Sequence, residues 1–355
     1  MDFSLTADQV DLRDLTQRIL DDRCTNEHLR SIDRTDDRTD RELWTALARA
    51  GVVGIGLPEA VGGGGLGFIE VGVCLGEVAR ASAPVPAMAV MVLGGSAIAR
   101  FGSPSQQQRW LTGVASGDRL LSAALMEPLG DPYEPATVAD GDGRLTGTKI
   151  GVPVAHLASA IVVSALDGLY IIEPSGPGVS IERQETTSGQ PESRLTMRSA
   201  PAERLCGHDG LVWLLERATA AQCVMMAALC DRAVKLTAEY AKTRVQFDRA
   251  IATFQAVSQR AADAFIDTEA IRLTAWQAMW RLAQDLPAAT QVATAKFWAA
   301  DGGQRALHAA QHIHGGVGVD RDYPLHRCFL AGKQLELALG SATPQLLRLG
   351  RLLAT

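Results

Sequence analysis

Two carboxylates and one set of cationic and glycine residues are the parts of this chain whose types could do chemistry. Glu216 and Glu336 fall in or beside segments of helical periodicity, where a carboxylate can act as a general base. Arg244 and the pair Gly315-Gly316 are residue types that hold an anionic phosphate: a guanidinium supplies charge-assisted hydrogen bonds, and glycines let backbone N–H groups come close. Each has an ordinary alternative. The helical pattern starting at Glu216 puts this acid in a first turn, where the helix dipole favours it without any chemistry. Arg244 and Gln255 alone have the spacing of surface residues on a helix pair. His312 and His314 stand two apart in an expected loop, which is no zinc pattern. The six cysteines, at 24, 74, 206, 223, 230 and 328, form no C-x-x-C pair, so reduced thiols of a cytoplasmic protein are expected and no metal site. Trp276, Met279 and Trp280 recur at helical spacing and read as packing residues.

The elements that must position these residues come in three blocks. Apolar periodicity predicts helices near 6–22, with Thr6 as N-cap, and near 40–50, 67–81, 86–101 and 105–115. From Leu121 to about Leu205 the pattern changes to short β-branched runs such as Ala160-Ile-Val-Val-Ser, bounded by Gly, Pro and Asp, which predicts antiparallel strands. Helical patterns return at 216–243, 254–283, 288–312 and 324–338. The expected fold class is therefore α+β, divided as an N-terminal helical domain (1–120), a β-domain (121–205) and a C-terminal helical domain (206–355). A length of 355 residues with 47% apolar composition supports that many domains. A net charge of −6 without a basic, aromatic-rich patch excludes a nucleic-acid partner, and the apolar runs are too short or interrupted to predict a membrane span.

Five segments carry a family likeness in order and spacing: Met1-Asp-Phe-Ser-Leu-Thr-Ala-Asp-Gln-Val10, Gly56-Leu-Pro-Glu-Ala-Val-Gly-Gly63, Arg244-Val-Gln-Phe-Asp-Arg-Ala-Ile-Ala-Thr-Phe-Gln255, Gln311-His-Ile-His-Gly-Gly-Val-Gly318 and Tyr323-Pro324. Over nearly its whole length the chain resembles the acyl-CoA dehydrogenases. The resemblance implies three layers: an N-terminal helical domain, a middle antiparallel β-domain and a C-terminal four-helix-bundle-like domain. It also implies FAD, with Arg244, Phe247, Gln255, Gln311, Gly315 and Gly316 holding the dinucleotide tail across a subunit interface. Asp248 stands where the family commonly has glycine. The usual catalytic glutamate falls at Leu339, three residues after Glu336. The alternative base position of some members falls at Ala218, with Thr219 where an arginine is common; Glu216 is two residues away, roughly 160–200° round a helix. The segments that grip the flavin ring become Met126-Glu-Pro-Leu-Gly-Asp-Pro132 and Lys149-Ile-Gly-Val-Pro153, with Gly151 at a tryptophan position and Pro153 at a threonine position.

Kept tail contacts beside a lost base and lost ring contacts resemble the short partner subunits of bacterial heteromeric acyl-CoA dehydrogenases acting on coenzyme-A thioesters of steroid side chains. That likeness implies an α2β2 tetramer with a catalytic dehydrogenase subunit, one FAD per heterodimer with its ring in the partner, and an electron-transfer flavoprotein as acceptor. Two other readings stay open: a self-sufficient homo-oligomeric dehydrogenase using a displaced base such as Glu216, and a non-enzymatic acyl-CoA-binding or scaffold protein.

Overall fold

The computed structural model describes residues 3–354. Helix α1 (Ala7–Arg23) opens with the expected cap: the Thr6 hydroxyl accepts from the Gln9 N–H, and the Gln9 side chain accepts from the Thr6 N–H, so two otherwise orphaned donors are satisfied reciprocally. A short α2 (Asn26–Ile32) follows, without a sequence expectation. Helix α3 (Arg41–Arg49) is capped by Asp40, whose carboxylate accepts from the Leu43 N–H at 2.9 Å. Helix α4 spans Phe68–Arg80. The segment expected as one helix over 86–101 is a wide π-helical stretch, Met88–Gly94, running into α5 (Gly95–Phe101). Helix α6 (Pro104–Leu111) ends four residues before its expected limit.

Eight strands follow, β1 (Leu121–Ala124), β2 (Val138–Ala139), β3 (Arg144–Pro153), β4 (Ala160–Ala165), β5 (Gly168–Ile172), β6 (Val179–Gln184), β7 (Glu192–Pro201) and β8 (Glu203–Gly207). They form two four-stranded sheets, ordered β1-β4-β5-β8 and β2-β3-β7-β6. Leu145, Val152, Ile161, Val163, Ile172, Leu195 and Met197 make a shared apolar core. All neighbours pair antiparallel except β1 and β4, which run parallel with Leu121 opposite Ala160. Antiparallel pairing throughout was the expectation. A parallel pair needs a long crossover, and the excursion through β2 and β3 supplies it.

Helix α7 (His208–Thr243) begins eight residues earlier than its pattern predicts, so its first-turn acid is Asp209 and Glu216 lies in the third turn. The helix-dipole account of Glu216 therefore fails. Gly207 and Gly210 give this start the look of a turn, but Gly210 serves close approach: a Cβ there would lie 2.1 Å from the Cys206 sulfur. By length and composition α7 could cross a membrane, yet 72% of its most apolar window is buried inside the protein, as in a core helix. A hairpin of β9 (Val245–Gln246) and β10 (Arg249–Ala250) leads into α8 (Gln255–Ala283), then α9 (Ala289–His314), α10 (Leu325–Leu337) and α11 (Ala342–Leu353). Helix α9 packs against α8, α10 and α11. His312 and His314 belong to its last turn rather than to a loop, because the helix runs two residues past its expected end. The chain divides into two compact units, one of Met1–Arg30, Leu75–Ala83 and Thr219–Thr355, the other of Ser31–Cys74 and Pro84–Ala218.

Candidate functional site

Arg244 lies just beyond α7, its N–H bonded to the Tyr240 carbonyl at 2.8 Å. Two residues form the tip of the hairpin that follows, Phe247 at φ 53° and Asp248 at φ 62°. Both central positions in the left-handed region is the geometry of a two-residue hairpin turn that usually selects Asn-Gly, so this turn carries strain at Phe247. Phe247 is 88% exposed, and its ring stands edge-on 6.2 Å from Phe254. No side chain caps the N-terminus of α8, where Gln255 is the first residue. Among the described residues the Arg244 guanidinium makes no ion pair or side-chain hydrogen bond.

Gln311, Gly315 and Gly316 sit at the far end of α9. Gly315 adopts φ 59°, ψ −134°, a conformation open to glycine alone, and a Cβ on either glycine would meet nothing within 4 Å. Gln311 and Gly315 line a groove of about 1150 Å³ with Arg260, Asp263, Asp267 and Arg305. Arg305 is committed to Asp267 through bonds of 2.6 and 2.9 Å, whereas Arg260, like Arg244, has no ionic partner among the described residues. The two ends of the set meet through aromatic rings: His314 stacks on Tyr240 with centroids 4.4 Å apart. Arg244 and Gly315 are thus held in one region. Glu216, near the opposite end of α7, does not join them.

Leu339 occupies the connection between α10 and α11. It is 5% exposed at φ 55°, the left-handed residue that terminates α10, and its carbonyl accepts from the Gln345 side chain at 2.9 Å. The buried Lys296 ammonium donates to the Leu335 carbonyl, close to the α10 C-terminus, and lies 3.4 Å from the Gln222 side-chain oxygen. Burial pushes Lys296 down to about 8, against the opposing pull of Cys223 and Glu336. Glu336 is itself buried and bonded to the Lys333 ammonium at 2.5 Å. Its carboxylate is committed to an ion pair.

In the β-domain, Lys149 is fully buried and donates to Glu127 at 2.6 Å and to the Ser164 hydroxyl at 2.8 Å. Glu127 also accepts from the Ala136 and Thr137 N–H groups and the Thr137 hydroxyl, which ties both ends of the loop between β1 and β2 to one ion pair. Burial alone would raise the Glu127 carboxyl. The bonds from Lys149, Thr137 and Ala136 outweigh it and hold the group at about 2. Gly151 sits in a bulge of β3 at φ 61°, its N–H bonded to Gln184 at 2.8 Å, and the Pro153 carbonyl accepts from the Ser122 hydroxyl.

The sequence matches the model of the acyl-CoA dehydrogenase N-terminal domain over residues 6–118 and that of the C-terminal domain over 207–353. It is 43% identical to acyl-CoA dehydrogenase FadE27 of Mycobacterium tuberculosis, over 100% of this chain and 99% of the relative. The chain belongs to the acyl-CoA dehydrogenase family. FadE28 of the same organism is 35% identical over 99% of this chain and 98% of its own. Among solved structures, one titled as the ChsE4-ChsE5 complex from Mycobacterium tuberculosis contains a chain with a TM-score of 0.95, 43% identity and coverage of 100% and 99%. Another, titled as a Tcur3481-Tcur3483 steroid ACAD variant, has a TM-score of 0.93 and 42% identity, with 98% of each chain covered. The expected order of helical, β and helical regions is the fold of this family.

An acyl-CoA dehydrogenase is a flavoprotein, and the donor set around Arg244 fits the anionic tail of FAD. It offers an unpaired guanidinium, accessible backbone at Gly315 and Gly316, an exposed aromatic ring at Phe247 and an uncapped helix N-terminus. Three features of the chain escaped sequence reasoning: the Lys149–Glu127 pair in the β-domain, the Lys296 cap and the ring stack on His314. Only the first left a sequence signal, since Lys149 shares a strand face with Leu145, four residues away, and so points inward.

Proposed function

We propose that this chain is the non-catalytic subunit of a heteromeric acyl-CoA dehydrogenase, binding the tail of an FAD whose ring belongs to a catalytic partner. Leu339 carries the reading. A buried alkyl group stands at the family's base position, in a connection clamped by Gln345 and the Lys296 cap, while the neighbouring carboxylate of Glu336 is already paired with Lys333. Gly151 and Pro153, at positions that would contact the ring, are spent on internal hydrogen bonds.

Bound FAD supplies the acceptor for the hydride that leaves Cβ of the thioester as a base takes the α-proton. The base comes from the partner. This chain's part is binding: the Arg244 guanidinium would donate to the pyrophosphate, Gly315 and Gly316, open where a side chain would stand, would let the tail come close to the backbone, and Phe247, Gln255 and Gln311 would flank it. The similarity to chains of the structures titled as the ChsE4-ChsE5 complex and the Tcur3481-Tcur3483 steroid ACAD variant supports a two-chain assembly acting on the CoA thioester of a steroid side chain, which we take as α2β2 with an electron-transfer flavoprotein as acceptor. A second reading, a self-sufficient homo-oligomer, draws on Glu216, which is half-buried in the third turn of α7 and no longer explained by the helix dipole.

Turnover of a steroid side-chain CoA thioester tests the reading. The chain purified alone should be at least about 10²-fold slower than its complex with a co-expressed catalytic chain, the smallest loss usual for a missing general base. Equal turnover per flavin in both preparations refutes the division of labour.

A further inference from the structure

We infer that Tyr240 and His314 form a clamp that fixes the Arg244 turn against the Gly315 cradle, making His314 a positioning residue for the tail of FAD; the inference rests on the cofactor-sharing reading above. Each ring belongs to one half of the site. Tyr240 accepts the Arg244 N–H with its carbonyl, so its backbone sets where the guanidinium starts. His314 immediately precedes Gly315, whose N–H closes the last turn of α9 on Gln311 and His312. The rings stack face to face at 4.4 Å with an interplanar angle of 21°, and the Tyr240 hydroxyl reaches the His314 carbonyl at 3.5 Å.

The histidine is held on its other edges as well. Nδ1–H donates to the Ala310 carbonyl at 2.8 Å, one helical turn back, which leaves Nε2 to accept from the Tyr323 hydroxyl at 3.1 Å. With 3% of its surface exposed, the ring has little freedom to turn away from Tyr240. Burial lowers its pKa, against the opposing hydrogen bond to the Ala310 carbonyl, and the ring joins α7, α9 and the segment before α10. Arg244 and Gly315 are both exposed and far apart in sequence. A cradle built from two such ends binds an anion well only if their spacing is set before the ligand arrives.

The test is a double-mutant cycle on FAD affinity in the heteromer co-purified with its catalytic chain, with assembly and thermal stability measured separately. An aromatic stack contributes about two- to tenfold in affinity, so His314→Ala and Tyr240→Ala should each weaken FAD binding by about that factor. The double variant should be no weaker than the worse single, because both remove one stack. His314→Phe, which keeps a ring face, should bind FAD more tightly than His314→Gln, which keeps only hydrogen bonding. Additive losses, unchanged affinity in both alanine variants, or His314→Gln matching or exceeding His314→Phe overturns the clamp. If the alanine variants do not assemble, the Phe and Gln pair decides alone. Arg244→Ala separates this inference from the reading beneath it. Weakened binding there with silent Tyr240 and His314 variants removes only the clamp, and no effect at Arg244 removes the cofactor sharing.

Discussion

Replacing Lys149 with methionine should destabilise the β-domain by about 3 kcal/mol. The native ammonium is fully buried, 2.6 Å from Glu127 and 2.8 Å from Ser164. Removing it leaves a carboxylate with 9% side-chain exposure and no counter-charge, a loss that typically costs about 3–5 kcal/mol. The lower end applies because two N–H groups and the Thr137 hydroxyl still donate to Glu127. In thermal unfolding followed by circular dichroism, about 3 kcal/mol should appear as a fall in Tm of about 6–12 °C. Adding Glu127→Gln removes the stranded charge and should recover most of the loss, since replacing both members of a buried pair costs far less than breaking it. The effect depends on pH with a definite sign. The folded Glu127 carboxyl is depressed to about 2 from an ordinary value of 4.5, so its stabilisation is complete above about pH 4.5 and lost as pH falls through about 2. The gap between the native chain and Lys149→Met should narrow with acid. A Tm within 2 °C of native, or no recovery in the double variant, refutes the argument.

Arg244→Ala should weaken FAD binding to the heteromer by about one to two powers of ten, the equivalent of a charge-assisted hydrogen bond to an anion. Arg249→Ala, whose guanidinium lies 4.1 Å over the Phe254 ring, should change dialysis-measured affinity only a few-fold. Asp248→Gly should tighten FAD binding and steady the hairpin, since it removes a carboxylate near the proposed anion site and suits φ 62° better; weaker binding contradicts this. Glu216→Gln should leave turnover of the complex within a few-fold, and a loss of about a hundredfold or more with normal assembly would make Glu216 the base.

What the sequence disclosed depended on how local the cause was. The Thr6 cap lies within three residues of the groups it satisfies, and residue order predicts it; the Asp40 cap is as local, but the periodicity places Asp40 at the start of its helix. The start of α7 could not be read from residue order, because Gly210 looks like punctuation until the Cys206 sulfur beside it is seen. That error also moved Glu216 into a first turn it does not occupy. The parallel pairing of β1 with β4 joins residues 39 positions apart, as Leu121 meets Ala160, and no alternation pattern specifies such a partner. In the candidate site, the motif order marked Arg244, Gly315 and Gly316 by likeness. Their connection through Tyr240 and His314 brings together residues 74 apart, and only the packing of α7 against the end of α9 reveals it.

The central claim is that one flavin is shared between two different chains, and counting it is the most direct test. FAD released from the purified heteromer should amount to one per heterodimer by absorbance, with little retained by this chain purified alone. Arg244→Ala in this chain should lower that count although the ring lies in the partner. Stoichiometric FAD on the solitary chain, or two per heterodimer, would contradict the account.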